Sequence, residues 1–143
     1  MAWRDLIRPR VAYAHCDIPC GIYDPVAAKT AADTVAKMVE KIETFAKEVT
    51  SAQGAAQLNA RNNVVRSIQV KEEHAQICKR ELLILWSDYF KPEHLEKHPN
   101  LHDTFWKAAK LCSKNKQSVD AKAAADLQAA VKEISDIFWA TKK

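Results

Sequence analysis

Apolar residues recur every three or four positions through most of this chain. Val35, Met38, Val39, Ile42, Phe45, Ala46 and Val49 form one such stripe, which predicts a first helix beginning near Pro25 and broken at Gln53-Gly54. Leu58, Val65, Ile68, Ala75, Leu82 and Leu85 predict a second long helix over about 57–89, ended by Pro92. Residues 91–100 hold two prolines and read as a loop. Phe105, Ala109 and Cys112 mark the inner side of a third, shorter helix over 101–112. Leu127, Val131, Ile134, Ile137 and Phe138 mark a fourth, running to about Ala140 with Ser118 or Asp120 as its cap. Four amphipathic helices with short connections predict an all-α fold, an antiparallel four-helix bundle.

The length of 143 residues suits one domain that can bury a core, and only two glycines agree with a mainly helical chain. No internal repeat or linker stands out, although residues 121–130 are rich in alanine. The formal charge of +4 is carried in part by Arg4, Arg8 and Arg10, set against Asp5 near the amino terminus. The remainder is close to balanced, which argues against nucleic acid as a partner. No run of about 18 apolar residues predicts a membrane span. Four cysteines, at 16, 20, 78 and 112, do not resemble a disulfide framework. Cys78 and Cys112 fall in helical stretches and read as buried thiols. Residence inside the cell, in the cytoplasm, fits this cysteine usage.

Chemistry concentrates in residues 15–25, His-Cys-Asp-Ile-Pro-Cys-Gly-Ile-Tyr-Asp-Pro, which follow Ala12-Tyr13-Ala14. A cut after Ala14 makes His15 the amino terminus. Its free amine, the Cys16 amide nitrogen and the Cys16 thiolate then close two five-membered chelate rings on one metal. Cys20 completes a square plane of two nitrogens and two sulfurs, a geometry suited to nickel(II) or copper(II) rather than tetrahedral zinc. The His15 imidazole can sit above that plane. Thiolates and a deprotonated amide donate electrons strongly, so one-electron redox chemistry follows more naturally than hydrolysis. Pro19 fixes one φ in the loop, in a place where a cis peptide costs little, and Gly21 can take a positive φ. Asp24 reads as a helix N-cap with Pro25 at the first helical position.

Residues 1–14 have basic residues and an Ala-x-Ala ending but lack the apolar centre of an export signal. They read as a pro-segment removed by a dedicated peptidase. In the uncut chain the His15 nitrogen is an amide and one donor is missing, so the precursor is expected to be inactive.

The run at 15–25 resembles the metal hook of nickel superoxide dismutases. The likeness continues in Leu85-Trp86-Ser87-Asp88-Tyr89-Phe90-Lys91-Pro92 and in Ile137-Phe138-Trp139-Ala140-Thr141-Lys142-Lys143, so it spans nearly all of residues 15–143. It implies a hook over 15–24 in front of a helical bundle over 25–143 and a homo-oligomer, specifically a hexamer. It also implies dismutation of superoxide to dioxygen and hydrogen peroxide by a nickel ion cycling between its divalent and trivalent states. His15, Cys16 and Cys20 are its metal ligands by this resemblance. Tyr23 lies beside the open face of the metal, where its hydroxyl would position superoxide or peroxide.

Asp17, Pro19, Asp88 and Tyr89 are expected to support the hook, Tyr89 by reaching toward it from the end of the second helix. Lys91 is either a solvated lysine or a cation that attracts a monoanion. Trp86 and Phe90 read as core aromatics. His94, His98 and His102 share a spacing of four but are interrupted by Pro99, and read as surface or interface residues. The family can hold its axial imidazole with a glutamate linked to an arginine. Those positions are Ala31 and His74 here, so His74 becomes a candidate for direct or water-mediated support, with Glu72 or Glu73 as compensating groups.

Two rivals use the same residues. One is a nickel-binding or trafficking protein without turnover. The other is an interaction bundle in which Cys16 and Cys20 form a disulfide or a redox dithiol.

Overall fold

The computed structural model describes residues 21–142. His15, Cys16, Asp17, Pro19 and Cys20, the cut site after Ala14, the 1–14 segment and Lys143 lie outside the described residues.

Helix α1 spans Val26–Ser51, α2 Gly54–Ile84, α3 Leu101–Gln117 and α4 Ala121–Thr141, and the described residues contain no strand. Each helix packs on the next and α4 returns to α1, closing a ring of four around one core. Links of two residues (52–53) and three residues (118–120) turn α1 into α2 and α3 into α4. Connections that short leave the paired helices antiparallel. The bundle predicted from periodicity is therefore the observed fold.

Local chemistry sets the helix ends. Asp24 Oδ1 accepts the Val26 N–H at 2.7 Å, so its side chain caps α1 as expected although regular helix begins one residue after Pro25. Gly54 takes φ +56° at the sharp entry to α2, a conformation that favours glycine. Asp120 caps α4 by accepting the Ala123 N–H at 3.0 Å, which decides between the two expected caps. Val35 and Val39 from α1, Ala75 and Leu82 from α2, Phe105 from α3, and Leu127, Val131, Ile134 and Phe138 from α4 fill the core.

Helix α2 departs from its expected inner face. Leu58 and Val65 are 65% and 63% exposed, whereas Ala60, Ser67 and Lys71 are buried. The reason lies in helix length. Lys71 Nζ donates to the carbonyls of Asn115, Lys116 and Ser118, the last at 2.9 Å, so α3 ends level with Lys71. Residues 54–70 run past that end beside α1, without α3 to cover them. Burial pulls the Lys71 amine below its ordinary value of 10.5, opposed by the charge of Glu72. Asn115 is buried in the same joint, its Nδ2 donating to Leu111 O at 3.0 Å and Ala123 O at 2.9 Å.

The far end of α2 also differs. Regular α-helix stops at Ile84, and Leu85–Tyr89 continue as a π-helical turn that closes with Phe90 N–H donating to Leu85 O at 3.1 Å. A short 3₁₀ turn, Pro92–Glu96, occupies the expected loop. Helix α3 runs on to Gln117, beyond the predicted end at Cys112.

Candidate metal centre

The root of the hook rests on the end of the bundle where α2 and α4 finish. Gly21 takes φ +72°, and a Cβ there would meet nothing within 4 Å, so backbone conformation and not crowding is what favours glycine. Two residues on, Tyr23 is only 6% exposed and meets Tyr89 edge to face, ring centroids 6.0 Å apart at 60°. Tyr89 comes from the π turn. Its ring lies 4.3 Å from that of Phe138, and its hydroxyl hydrogen-bonds Thr141 Oγ1 at 3.1 Å. Lys142 Nζ donates to Tyr23 O at 2.9 Å while sitting 5.2 Å above each of the Phe138 and Trp139 rings. The end of α4 thus grips the main chain at Tyr23 and the hydroxyl of Tyr89 together.

These residues bound an open cleft of about 610 Å³, with Gly21, Tyr23, Asp88, Tyr89, His94 and Lys142 on its walls. Lys91 and Lys97 also line it, and three lysines outnumber Asp88 and Glu93. That excess of positive charge favours a small anion. His94 stacks beside Tyr89 with centroids 5.8 Å apart, and its Nδ1 accepts the Lys91 N–H at 3.1 Å.

Of the residues singled out from the sequence, Tyr23, Asp88, Tyr89 and Lys91 come together here. Asp88 is exposed and its Oδ1 accepts the Ser87 hydroxyl at 2.7 Å. His74 is not among the residues lining the cleft. It is half-buried on α2, where Nδ1 pairs with Val70 O at 2.9 Å, so Nδ1 carries the proton and Nε2 is the nitrogen left for another partner. Ala31 is buried in the core. His94 and His102 do not converge: His102 Nδ1 accepts the Trp86 indole N–H at 2.8 Å. Among the described residues no group of three or more His, Cys, Asp or Glu side chains is placed to hold a metal.

Lys142, Thr141 and His94 had no place in the sequence reading of the site. Thr141 and Lys142 do lie in the carboxy-terminal run that carries the resemblance, but nothing in helical periodicity says that this run meets residue 23.

The described residues fit a hook that holds a metal. Gly21, bonded directly to Cys20, lines the cleft, and the preceding six residues of the sequence carry one imidazole and two thiols. Thiolates with nitrogen donors suit nickel.

Comparison with known proteins agrees. The family described as nickel-containing superoxide dismutase matches residues 10–142. Superoxide dismutase [Ni] of Streptomyces seoulensis is 37% identical over 139 residues, 96% of each chain. That of Streptomyces coelicolor is 36% identical over the same length. A native nickel superoxide dismutase structure superposes with a TM-score of 0.73 at 35% identity, covering 90% of this chain and all of that one. With the bundle, the hook's root and this match along nearly the whole length, the chain belongs to the nickel-containing superoxide dismutase family.

Proposed function

We propose that the chain works as a superoxide dismutase after cleavage following Ala14, with nickel held by the His15 amine and imidazole, the Cys16 amide nitrogen and thiolate, and the Cys20 thiolate. Family membership carries the activity and the metal. The observation that carries the site is the cleft at Gly21, Tyr23 and Tyr89, which begins one peptide bond from Cys20. Bound nickel would supply the one-electron couple that dismutation of superoxide needs. The protein's own groups do the rest. Lys91, Lys97 and Lys142 draw the anion to the cleft. The aromatic wall of Tyr23 and Tyr89 narrows it, and the Tyr23 hydroxyl orients superoxide or departing peroxide. Asp17 and Pro19 shape the loop, while Asp88 and Tyr89 support it from the bundle. With Ala31 and His74 in place of an acidic and a basic partner, His74 Nε2 is the group available to steady the imidazole.

Processing by a peptidase is supported by the chemistry of the amine, which becomes a donor only when His15 is the first residue. A homohexamer would shield the open cleft beside Gly21 and Tyr23. Cytoplasmic residence belongs to the same proposal and is supported by a cysteine pattern unlike a disulfide framework. The test is intact mass, nickel content and superoxide turnover of chain beginning at His15, beside the uncut chain. One nickel per subunit with turnover in the cut form alone supports the reading. Rapid transfer of nickel without turnover returns the carrier reading, and a two-dalton loss without metal returns the disulfide.

A further inference from the structure

Two nucleophiles lie in the core, away from the cleft. Cys78 of α2 and Cys112 of α3 are both fully buried free thiols of one core cluster, and each is the neighbour that most shifts the other's titration. The next residue on each helix repeats the contact, Lys79 Nζ donating to Ser113 Oγ at 3.1 Å, so the two helices are tied at this level by adjacent cross-links of side chains. We propose that Cys78 and Cys112 form an oxidisable dithiol that closes to a disulfide between α2 and α3 with hydrogen peroxide, the product of superoxide dismutation, as oxidant.

The chemistry balances without another reagent. The Cys112 sulfur attacks one peroxide oxygen, the O–O bond breaks, and the departing hydroxide takes the Cys112 proton to become water. The sulfur is left as a sulfenic acid. Cys78 then attacks the Cys112 sulfur, the S–OH bond breaks, and that hydroxide takes the Cys78 proton to become a second water. Two thiols lose two electrons and one peroxide gains them. The order follows from the contact. Contact with Cys78 favours a thiolate at Cys112, helped by the charge of Lys79, although burial opposes it. The same contact raises Cys78, because a second negative charge beside the first is opposed, and burial adds to this. Lys79 Nζ, held on Ser113 next to Cys112, makes Cys112 the attacking sulfur and leaves Cys78 to resolve it. Juxtaposition also captures the sulfenic acid before a second peroxide can carry it to the sulfinic state. Access is limited to a molecule as small as peroxide reaching the core by local opening, so the reaction is slow beside dismutation.

The experiment treats the full folded chain with reagent hydrogen peroxide, removes the peroxide, blocks remaining thiols by alkylation after unfolding in denaturant, and digests with trypsin without reductant. Cys78 and Cys112 fall on separate fragments, 72–79 and 111–114, distinct from that holding Cys16 and Cys20. The expected result is a linked pair of these fragments, two daltons below their summed mass, with alkylation lost at both residues together. Cys78→Ser should abolish the link and leave Cys112 as sulfinic acid. The same treatment in urea should scatter linkages among all four cysteines. Any of three results overturns the proposal: Cys78 and Cys112 alkylated in full after peroxide, each oxidised singly without a link, or native and urea-treated samples giving the same mixture. The mapping on the unaltered chain needs no variant to fold, and its failure leaves the nickel and turnover measurements untouched.

Discussion

Tyr89 joins three parts of the chain: its ring receives the edge of Tyr23 at 6.0 Å while its hydroxyl bonds Thr141 at the end of α4. A residue from the π turn thus fixes the hook's root against the last turn of the bundle. Tyr89→Phe keeps the ring and removes one half-buried hydrogen bond, with an expected loss of about 1 kcal/mol in chemical denaturation. Thr141→Val should cost a similar amount, and the double variant little more than either alone. Simple additivity of the two losses would show that the bond contributes nothing.

Lys71 ends α3 from a neighbouring helix. Lys71→Met retains the aliphatic stem but leaves the carbonyls of Asn115, Lys116 and Ser118 without their shared donor. The expected cost is about 2 kcal/mol, read from urea unfolding, with the helical signal of the folded state unchanged. A variant as stable as the parent would remove Lys71 from the joint.

The difference between Lys71 and its surroundings shows where sequence reading stops. The four helices are legible because apolar spacing, the Gly54 break, the Asp120 cap and Pro92 all point the same way. Leu58 and Val65 mislead because they share the period of α2, while their exposure depends on where α3 ends, which no residue of α2 encodes. A lysine on that inner face looks like an interruption until the carbonyls of another helix are beside it. At the site, the proposed hook can be read from sequence because its candidate donors are neighbours in the chain that short chelate rings would connect. Lys142 and Thr141 are not, since their contacts with Tyr23 and Tyr89 exist only after α4 has packed.

Asp120 gives a prediction in pH. Accepting the Ala123 N–H, with Lys114 nearby, holds its carboxyl below the ordinary value of 3.8. A lowered folded value means that its stabilisation is complete above about 3.8 and is lost as pH falls through the folded value. Asp120→Asn should therefore melt below the parent at neutral pH, with the gap narrowing under acid below 3.8. A gap that stays constant down to that range would assign the effect to shape and not charge.

Cys16→Ser and Cys20→Ser each remove a thiolate from the proposed donor set. Nickel content and superoxide turnover should both fall to the level of metal-free protein, while the melting of the bundle stays close to that of the metal-free parent. Retained nickel at full stoichiometry in either variant would move the ligand set elsewhere.

The grip of Lys142 on the Tyr23 carbonyl bears on how the protein should be handled in the laboratory. A purification tag fused behind Lys143 hangs beside the mouth of the cleft, and one fused ahead of His15 blocks the amine. The exposed Gln53 turn avoids both, because the length of α1, 26 residues and thus about 39 Å, separates it from the hook. Dyes, surface anchors and affinity handles belong at that far turn, where a spacer can be inserted while both working ends of the chain remain unencumbered.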